Sequence, residues 1–547
     1  MMGIHSKQEQ LWVEAVNLSH RIPEDHILRK FASVLDLGFV REAVADKYGR
    51  NGHVSLDPVI IVKLMILLFL DNVKSERELM RIIPLRIDYL WFLGYGLEDA
   101  IPNHSVLSKA RRRWGPEVFE RIFRETVRKC LEAGLIEGEK VHADSSTIRA
   151  NASKNSIVET LCLEQLLAKL EEEKEEREAA EAEEAADGEE EGRTEDGAEP
   201  ENPKKKEKRK KKPYKDGEVN RTKTSTTDPE ATICGRGRGD SAPSYKSHRL
   251  VDDKMGVISA VTTTPSIVNE GHKLEELIDR HQANTGETVK TAIADSLYGT
   301  AENFINLKKR DIRTHMGDLR GKQKNHRLKG IFPTEAFTYD KNTDTYTCPA
   351  GKTLHYRHWN PKRNYAEYEC RPADCAACPL RKKCTRAKKG RTVNRRPEQE
   401  LLDKARRESA STLGRRDRKR RQHLMEGSFA DAANHHGFKR ARWRGLKHQS
   451  IQDFVIASVQ NLRILTKAGQ RRANAAALAL AREDARAARA ISRPRRHFAP
   501  PHRPPTPPIR PYPQPPPRPM LRGGLPKNLP HFTRIYSLLF EQQPGKP

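Results

Sequence analysis

The segments GEKVHAD, residues 138–144, and TVKTAIAD, residues 288–295, decide how this chain is interpreted. Each alternates apolar and polar side chains, as a half-buried β-strand does. Each also ends in an acid, Asp144 in the first segment and Asp295 in the second. The pattern therefore predicts two strands that each deliver one carboxylate at their end.

A third acid, Glu426, lies in HLMEGSFADAANHHGF, residues 423–438, which favours a helix. Two strand-end carboxylates and one helical carboxylate can meet at one point and hold divalent cations, and such clusters cut and join phosphodiesters. The chain has 74 acidic residues, most of which must be solvated or paired. Spacing alone therefore leaves a simple surface role open for each of the three.

Composition points to a polyanionic partner. The 547 residues carry a net charge of +27, which attracts nucleic acid, with a membrane surface as the alternative. Hydrophobic residues make up only 36% and charged residues 32%, so part of the chain is expected to be loop or disordered.

We expect no membrane segment and a cytoplasmic location. The most apolar run, from Pro58 to Leu70, is too short to span a bilayer and contains Lys63. The N-terminal MMGIHSKQEQ lacks the apolar core of a signal peptide. In the cytosol the eight cysteines would stay reduced.

The order of elements predicts an α/β protein with a helical N-terminal domain at 20–137. In that domain Asp57-Pro58 opens one helix and Ser75 opens another. Lys109 and the arginines at 111–113 form a basic patch that either contacts a phosphate backbone or is a solvated helix face. Mixed strands and helices follow, which is typical of layered α/β domains.

Two insertions and a tail interrupt or extend this pattern. Residues 171–220 hold an acidic and a basic block and are predicted to be a disordered insertion. Residues 311–415 carry five of the eight cysteines. The catalytic layers are therefore assigned to 138–310 and 416–467. Residues 468–547 form a basic Ala/Arg-rich and then Pro-rich tail, predicted to be disordered.

The cysteines offer a candidate structural zinc site. DCAACPLRKKC contains Cys375, Cys378 and Cys384, and YTCPAGKTL contains Cys348 upstream. A CxxC pair with two further cysteines suits tetrahedral zinc, and four thiolates leave no open position for catalysis. The alternative is a set of reduced thiols without metal.

Several motifs together resemble the DDE transposases of bacterial insertion sequences. They are HADSSTIRANASKNS around Asp144, ADSLYGTAENF around Asp295, MEGSFADAANHHGFKRARWRGL around Glu426, and IQDFVIASVQNLRIL after it. SLDPVIIVKLMILLFL and PNHSVLSKARRR are similar to the helical N-terminal domain of one such group, which also carries a cysteine-bearing insertion. The resemblance covers about residues 25–165 and 220–465.

This resemblance implies a ribonuclease-H-like catalytic domain in which Asp144, Asp295 and Glu426 are the catalytic residues and bind Mg²⁺ or Mn²⁺. The implied reaction is cleavage at transposon ends, followed by attack of the freed 3′ hydroxyl on target DNA. The implied partner is DNA, bound partly by the helical domain, with the protein acting as a homo-oligomer in the nucleoid. By the same match the zinc ligands would be Cys348, Cys375, Cys378 and Cys384, with Cys370 spare.

Near the third acid the chain departs from the family pattern. Relatives often have an arginine where Gln422 stands, a lysine at Ala433, a tyrosine at Lys419 and an arginine at Gly427. The basic residues that can replace the missing phosphate contacts are Lys419, Arg420, Arg421 and Lys439. Two alternatives therefore stay open, a catalytically inactive transposase-derived DNA-binding protein and a metal-dependent nuclease without strand transfer.

Overall fold

The computed structural model describes residues 17–49, 55–160, 220, 223–236, 240–317, 330–387 and 389–491. Its helical N-terminal part contains α1 (Leu18–Arg21), α2 (Ile27–Val34), α3 (Gly38–Val44), α4 (Pro58–Leu70), α5 (Glu76–Ile82), α6 (Ile87–Leu93) and α7 (Ser105–Glu132). Apart from Lys63, helix α4 is apolar, and it buries eight of its side chains, so it forms the centre of this part.

The predicted helix starts in this part are confirmed. The Asp57 side chain accepts a hydrogen bond from the backbone N–H of Val59, and Pro58 occupies the first turn of α4. Ser75 caps α5 by accepting from the N–H of Glu78. Helix α7 is interrupted at Gly115, whose φ of 73° is not helical.

The strands after α7 are β1 (Lys140–Arg149), β2 (Ile157–Glu159), β3 (Lys223–Ser225), β4 (Thr232–Arg236), β5 (Asp240–Asp252), β6 (Ile258–Pro265), β7 (Thr291–Ala294) and β8 (Arg313–Met316). Six of them form one sheet in the order β4–β5–β1–β7–β8, with β6 also paired to β5. Strands β1, β7 and β8 are parallel, whereas β5 runs antiparallel to β1, β4 and β6. β2 and β3 form a separate pair.

The later helices are α8 (Leu274–Thr285), α9 (Ala301–Lys309), α10 (Pro372–Ala376), α11 (Arg381–Cys384), α12 (Gln399–Ala410), α13 (Thr412–His436) and α14 (Leu446–Ile491). Helices α8, α9 and α12 share one apolar cluster with the strands. Helices α13 and α14 share a second cluster with other strand residues and with the N-terminal helices. The mixed α/β class predicted from the sequence is confirmed, and the N-terminal helices share their core with the sheet layer.

The chain forms a second sheet between residues 338 and 395, after strand β8 and before helix α12 in the sequence. It is made of β9 (Thr338–Asp340), β10 (Thr345–Thr347), β11 (Thr353–Asn360), β12 (Tyr365–Cys370) and β13 (Thr392–Arg395), in the order β13–β12–β11–β10–β9. Its small core includes Tyr346, Leu354, Tyr368 and two of the cysteines.

Two predicted boundaries need correction. β8 belongs to the main sheet and α12 packs against it through Leu402 and Ala405, although both lie within the predicted cysteine-bearing segment 311–415. The tail predicted from residue 468 begins as helix, since α14 continues to Ile491. Alanine and arginine are strong helix formers, which explains the extension. The predicted insertion at 171–220, apart from residue 220, and the Pro-rich tail lie outside the described residues.

The chain divides into two units, Met1–Ala479 and Leu480–Pro547, and nearly all described residues belong to the first. In the described part of the chain, each helix is either too short or too polar to cross a membrane.

Candidate active site

Asp144 and Asp295 are brought side by side by parallel pairing of β1 and β7. The prediction that Asp144 ends its strand is wrong, because β1 continues to Arg149. The pairs run Lys140 with Thr291, Val141 with Ala292 and His142 with Ile293. Two residues further along each strand, the same register places Asp144 opposite Asp295. Asp295 follows the last residue of β7, and its Oδ1 accepts a hydrogen bond from the backbone N–H of Leu297 at 2.8 Å.

Asp144 sits in an environment that disfavours its charge. Burial raises the pKa of the Asp144 carboxyl, the charge of Asp295 adds to the rise, and the charge of Arg421 opposes it. Its Oδ1 accepts from the backbone N–H of Ser145 at 2.8 Å. Two adjacent carboxylates of this kind favour a cation beside them, and their hard oxygen atoms suit Mg²⁺ or Mn²⁺.

Arg421 provides the positive charge at this position. Its Nη1 donates to Oδ2 of Asp144 at 2.7 Å, and the two side chains are only 14% and 22% exposed. The buried Nε of Arg421 has no hydrogen-bond partner within the described residues. The guanidinium therefore balances the charge of Asp144 but leaves one donor unused.

The third predicted acid is not brought into this pair. Glu426 is exposed on α13 and accepts a hydrogen bond from Nε2 of Gln422 at 3.0 Å. The buried face of α13 includes Met425, Phe429 and Ala432, so Glu426 lies beside that face. In the part of the chain that the structure describes, no group of three or more His, Cys, Asp or Glu side chains is arranged to hold a metal ion.

Helix α13 is fixed over the sheet by buried ion pairs at its N-terminal end. Asp417 accepts from Nζ of Lys140 at 2.7 Å and contacts Nδ1 of His315 at 2.7 Å. Burial raises the pKa of Asp417, but the hydrogen bonds and charges of Lys140 and His315 bring it below its usual value. Asp417 is therefore charged at neutral pH and anchors α13 to β1 and β8.

Arg249 anchors the middle of α13 from β5, directly across the strand pair from Asp144. It is fully buried and lies over the rings of Phe429 and Phe438, with its Cζ 5.0 and 4.6 Å from the ring centroids. Its Nη1 donates to Oε1 of Gln460 on α14 at 2.8 Å. Arg249 thus ties strand β5 to the two helices that follow the acid pair.

A buried carboxylate accompanies this arginine. Burial lowers the pKa of Arg249 to about 10 and raises the pKa of Asp453 to about 6. Asp453 accepts from Thr263 Oγ1 at 2.5 Å and from Gln449 Nε2 at 3.0 Å.

The sequence does not predict two of these roles. It predicts Arg421 only as a phosphate contact, whereas the structure pairs it with Asp144. The sequence does not predict the role of Arg249, because the strand DSAPSYKSHRLVD that contains it is mostly polar.

The cysteines come together in the second sheet. Five of them line one cavity of about 20 Å³, namely Cys348, Cys370, Cys375, Cys378 and Cys384. Burial, followed by the hydrogen bond with Cys375, raises the pKa of the Cys370 thiol to about 12. The donor type suits zinc, but in the described residues these thiols are not arranged as a set of metal ligands, and Cys370, which the family resemblance leaves spare, contacts the predicted ligand Cys375.

The predicted basic patch on α7 divides into two kinds of residue. Arg111 is buried and forms an ion pair with Glu76, and its Cζ lies 3.8 Å from the Trp443 ring centroid, so it is unavailable to a phosphate. Lys109 and Arg112 are exposed. Trp443 packs edge-on against Phe69, with centroids 5.7 Å apart, and thus acts as a structural aromatic.

Comparison with known proteins yields two family matches. A model described as Transposase DDE domain matches residues 347–466, and one described as Transposase domain (DUF772) matches residues 16–113. The first covers strands β11 to β13 of the second sheet and helix α13 with Glu426, and the second covers most of the N-terminal helices. Asp144 and Asp295 lie outside both matches. No curated protein matches the chain.

Proposed function

The two family matches support a DDE transposase of an insertion element, and on that premise we propose that this chain cuts and rejoins DNA strands. Asp144, Asp295 and Glu426 are the proposed catalytic residues and metal ligands. The observation that carries the proposal is the parallel register of β1 and β7, which sets Asp144 beside Asp295 when it is continued two residues beyond its last pair.

The sheet supports a ribonuclease-H-like catalytic domain. Its central strand β1 carries the first acid, the parallel strand β7 ends at the second, and helix α13 follows with the third. On one side of β1, β5 runs antiparallel to β1 and β6 runs antiparallel to β5. On the other side, β7 and β8 run parallel to β1. This arrangement is the one that the three motifs imply.

Asp144 and Asp295 would hold a divalent cation, with Glu426 as the third ligand. Such a cation supplies a nucleophilic oxygen at neutral pH and stabilises the charge that develops on phosphorus. In the first step water attacks phosphorus, the bond to the 3′ oxygen breaks, and a 3′ hydroxyl remains. In the second step that hydroxyl attacks a target phosphodiester, whose own 3′ oxygen leaves.

The chain's own residues prepare this site. Asp417 and Arg249 hold α13 against the sheet. Arg421 balances the charge of Asp144 and lies where a guanidinium can contact a phosphate oxygen next to the acid pair. It is our candidate to replace the arginine that relatives have at the position of Gln422.

The proposal extends to partners and location. DNA, both transposon end and target, is the proposed partner, the protein acts as a homo-oligomer that pairs two ends, and it works on DNA in the cytoplasm. A structural Zn²⁺ bound by Cys348, Cys375, Cys378 and Cys384 remains part of the proposal.

One observation favours the alternative of a catalytically inactive, transposase-derived DNA-binding protein. Glu426 bonds to Gln422 and lies outside the acid pair. The active enzyme requires this helix to present Glu426 to the other two acids.

The test is cleavage of DNA that carries the element's own flanking ends, in the presence of Mg²⁺. Wild-type protein should nick the end and leave a 3′ hydroxyl. Asp144→Asn, Asp295→Asn and Glu426→Gln should each abolish nicking while DNA binding persists. Asp279→Asn, which removes an exposed acid on α8, is the matched control and should cleave normally. Cleavage at the wild-type rate by the three active-site variants would refute the proposal, and a wild type that binds but never cleaves would establish the alternative.

A further inference from the structure

A cleft separates the N-terminal helices from the segment that follows α13. Its volume is about 770 Å³, and its basic lining residues are Lys74, Arg77, His104, Arg440 and Arg442. They come from the loop before α5, from the start of α5 and α7, and from residues 437–443. We refer to it below as the basic cleft.

The charged side chains that line the basic cleft are mostly positive. Lys74 and Arg440 are exposed, and within the described residues neither side chain has a hydrogen-bond or ion-pair partner. Among the described lining residues Glu76 alone is acidic, and its carboxylate is already engaged by Arg111 and by Nε1 of Trp443 at 3.1 Å. The cleft therefore presents uncompensated cations to solvent, which attracts a polyanion.

The basic cleft is continuous with the strand that carries the first acid. Residues 439–441 extend the sheet beside the end of β1. The N–H of Arg149 donates to the carbonyl of Lys439 at 3.0 Å, and the N–H of Ala441 donates to the carbonyl of Arg149 at 2.8 Å. Nζ of Lys439 also donates to Oγ of Ser146 at 2.5 Å. Because side chains alternate along a strand, Ser146 shares a sheet face with Asp144, whereas Arg440, which is bridged to Arg149, lies at the end of β1 on the other face.

The length of β1 sets the distance between the acid pair and the cleft. Arg149 lies five positions beyond Asp144, which at about 3.3 Å per residue corresponds to roughly 17 Å. Phosphates of one DNA strand are spaced about 3.4 Å apart along the helix axis, so this span corresponds to roughly five nucleotides.

The wall of the basic cleft is held rigidly. Arg442 donates to the carbonyl of Val73 and, at 2.9 Å, to Oδ1 of Asn72. Gly437 has a φ of +65°, and a Cβ atom there would lie 2.5 Å from Oδ1 of Asn72. Arg442 is therefore used to join the two walls, which leaves Lys74, Arg77 and Arg440 to contact a ligand.

We propose that the basic cleft binds the phosphodiester backbone of the DNA being cut, about five nucleotides from the phosphate at the acid pair. This inference rests on the proposed function. The helical N-terminal part and residues 437–443 contribute jointly, so the DNA-binding track crosses both family-matched regions.

The experiment measures binding of a fluorescein-labelled, mixed-sequence DNA duplex as a function of salt concentration. The test variant is Lys74→Gln combined with Arg440→Gln. The control is Lys341→Gln combined with Lys362→Gln, which removes the same charge from two exposed positions in the turns between strands of the second sheet. All four side chains are exposed, and thermal melting should show that both variants fold.

Each lost phosphate contact should reduce the slope of log affinity against log salt by about 0.9, so the test variant should lose about 1.8. The control should keep the wild-type slope. A wild-type slope in the test variant, or an equal loss in the control, would overturn the inference while leaving the catalytic proposal intact. Failure of the wild type itself to bind the duplex would refute the proposed function as well.

Discussion

Arg421→Gln is the substitution that most sharply perturbs the acid pair. It removes the guanidinium whose Nη1 lies 2.7 Å from Oδ2 of Asp144, while Gln keeps most of the side-chain length. Without that charge, Asp144 keeps only the hydrogen bond from Ser145 and still faces Asp295. We expect the variant to be less stable without metal and to bind divalent cations more tightly.

The expected loss of folding stability in the metal-free variant follows from the burial of the ion pair. Removing one partner of a buried ion pair costs about 3–5 kcal/mol, but these side chains keep some exposure and the unbonded Nε of Arg421 is also removed. We therefore expect a loss of about 2 kcal/mol. In medium-sized domains 1 kcal/mol corresponds to about 2–4 °C in Tm, so Tm should fall by roughly 4–8 °C.

The gain in cation affinity follows from Coulomb's law. Two unit charges about 4 Å apart interact by about 4 kcal/mol at an effective dielectric constant of about 20. Solvent reaches both side chains, so we discount this to about 1.5–3 kcal/mol, which corresponds to a ten- to hundredfold change in affinity. Mn²⁺ titration calorimetry measures the affinity, and melting with and without Mn²⁺ measures the stability.

The matched control is Arg420→Gln at the neighbouring position of α13. Arg420 pairs with Asp253, its Nε donating at 2.6 Å, and is 46% exposed, so its loss should cost less than about 1 kcal/mol and leave cation binding unchanged. The reasoning is refuted if Arg421→Gln binds Mn²⁺ no more tightly than wild type, or if the two variants behave alike.

Three further predictions concern the scaffold. Gly437→Ala should lower Tm more than Gly286→Ala. Both glycines have positive φ, but only at Gly437 would the added Cβ meet a neighbour, Oδ1 of Asn72 at 2.5 Å. Equal losses of Tm would show that this close approach does not exist. Burial raises the pKa of Asp453 to about 6. The contribution of Asp453 to folding stability is therefore fully present below the pKa of this residue in the unfolded chain, and it is lost as pH rises through about 6. Between acid and neutral pH, the Tm of wild type should therefore fall relative to the Tm of Asp453→Asn. A Tm difference between the two proteins that stays constant with pH would contradict the burial argument. If the second sheet holds zinc, metal analysis should find about one equivalent in wild type and much less in Cys375→Ser; below about half an equivalent in wild type, the zinc proposal fails.

Local patterns in the sequence predicted the elements that carry the acids. Alternation before Asp144 and Asp295 is a property of neighbouring residues, and the structure places β1 and the end of β7 there. The helix around Glu426 is likewise found, as α13. These features depend on periodicity within one segment, so a single sequence was enough to reveal them.

Contacts between distant segments could not be predicted in this way. The pairs formed by Arg421 with Asp144 and by Arg249 with Gln460 depend on how α13 and α14 cross the sheet. The basic patch on α7 was ambiguous for the same reason, because only the packing of Trp443 shows that Arg111 is buried. The position of Glu426 beside the buried face of its helix also depends on this packing.

The central claim is that Asp144 and Asp295 form a divalent-cation site. Its most direct test is Mn²⁺ binding followed by electron paramagnetic resonance, which counts bound ions without requiring DNA or cleavage. We predict that wild type and Asp279→Asn bind Mn²⁺ stoichiometrically, whereas Asp144→Asn and Asp295→Asn lose that binding. Undiminished Mn²⁺ binding by Asp144→Asn would contradict the account.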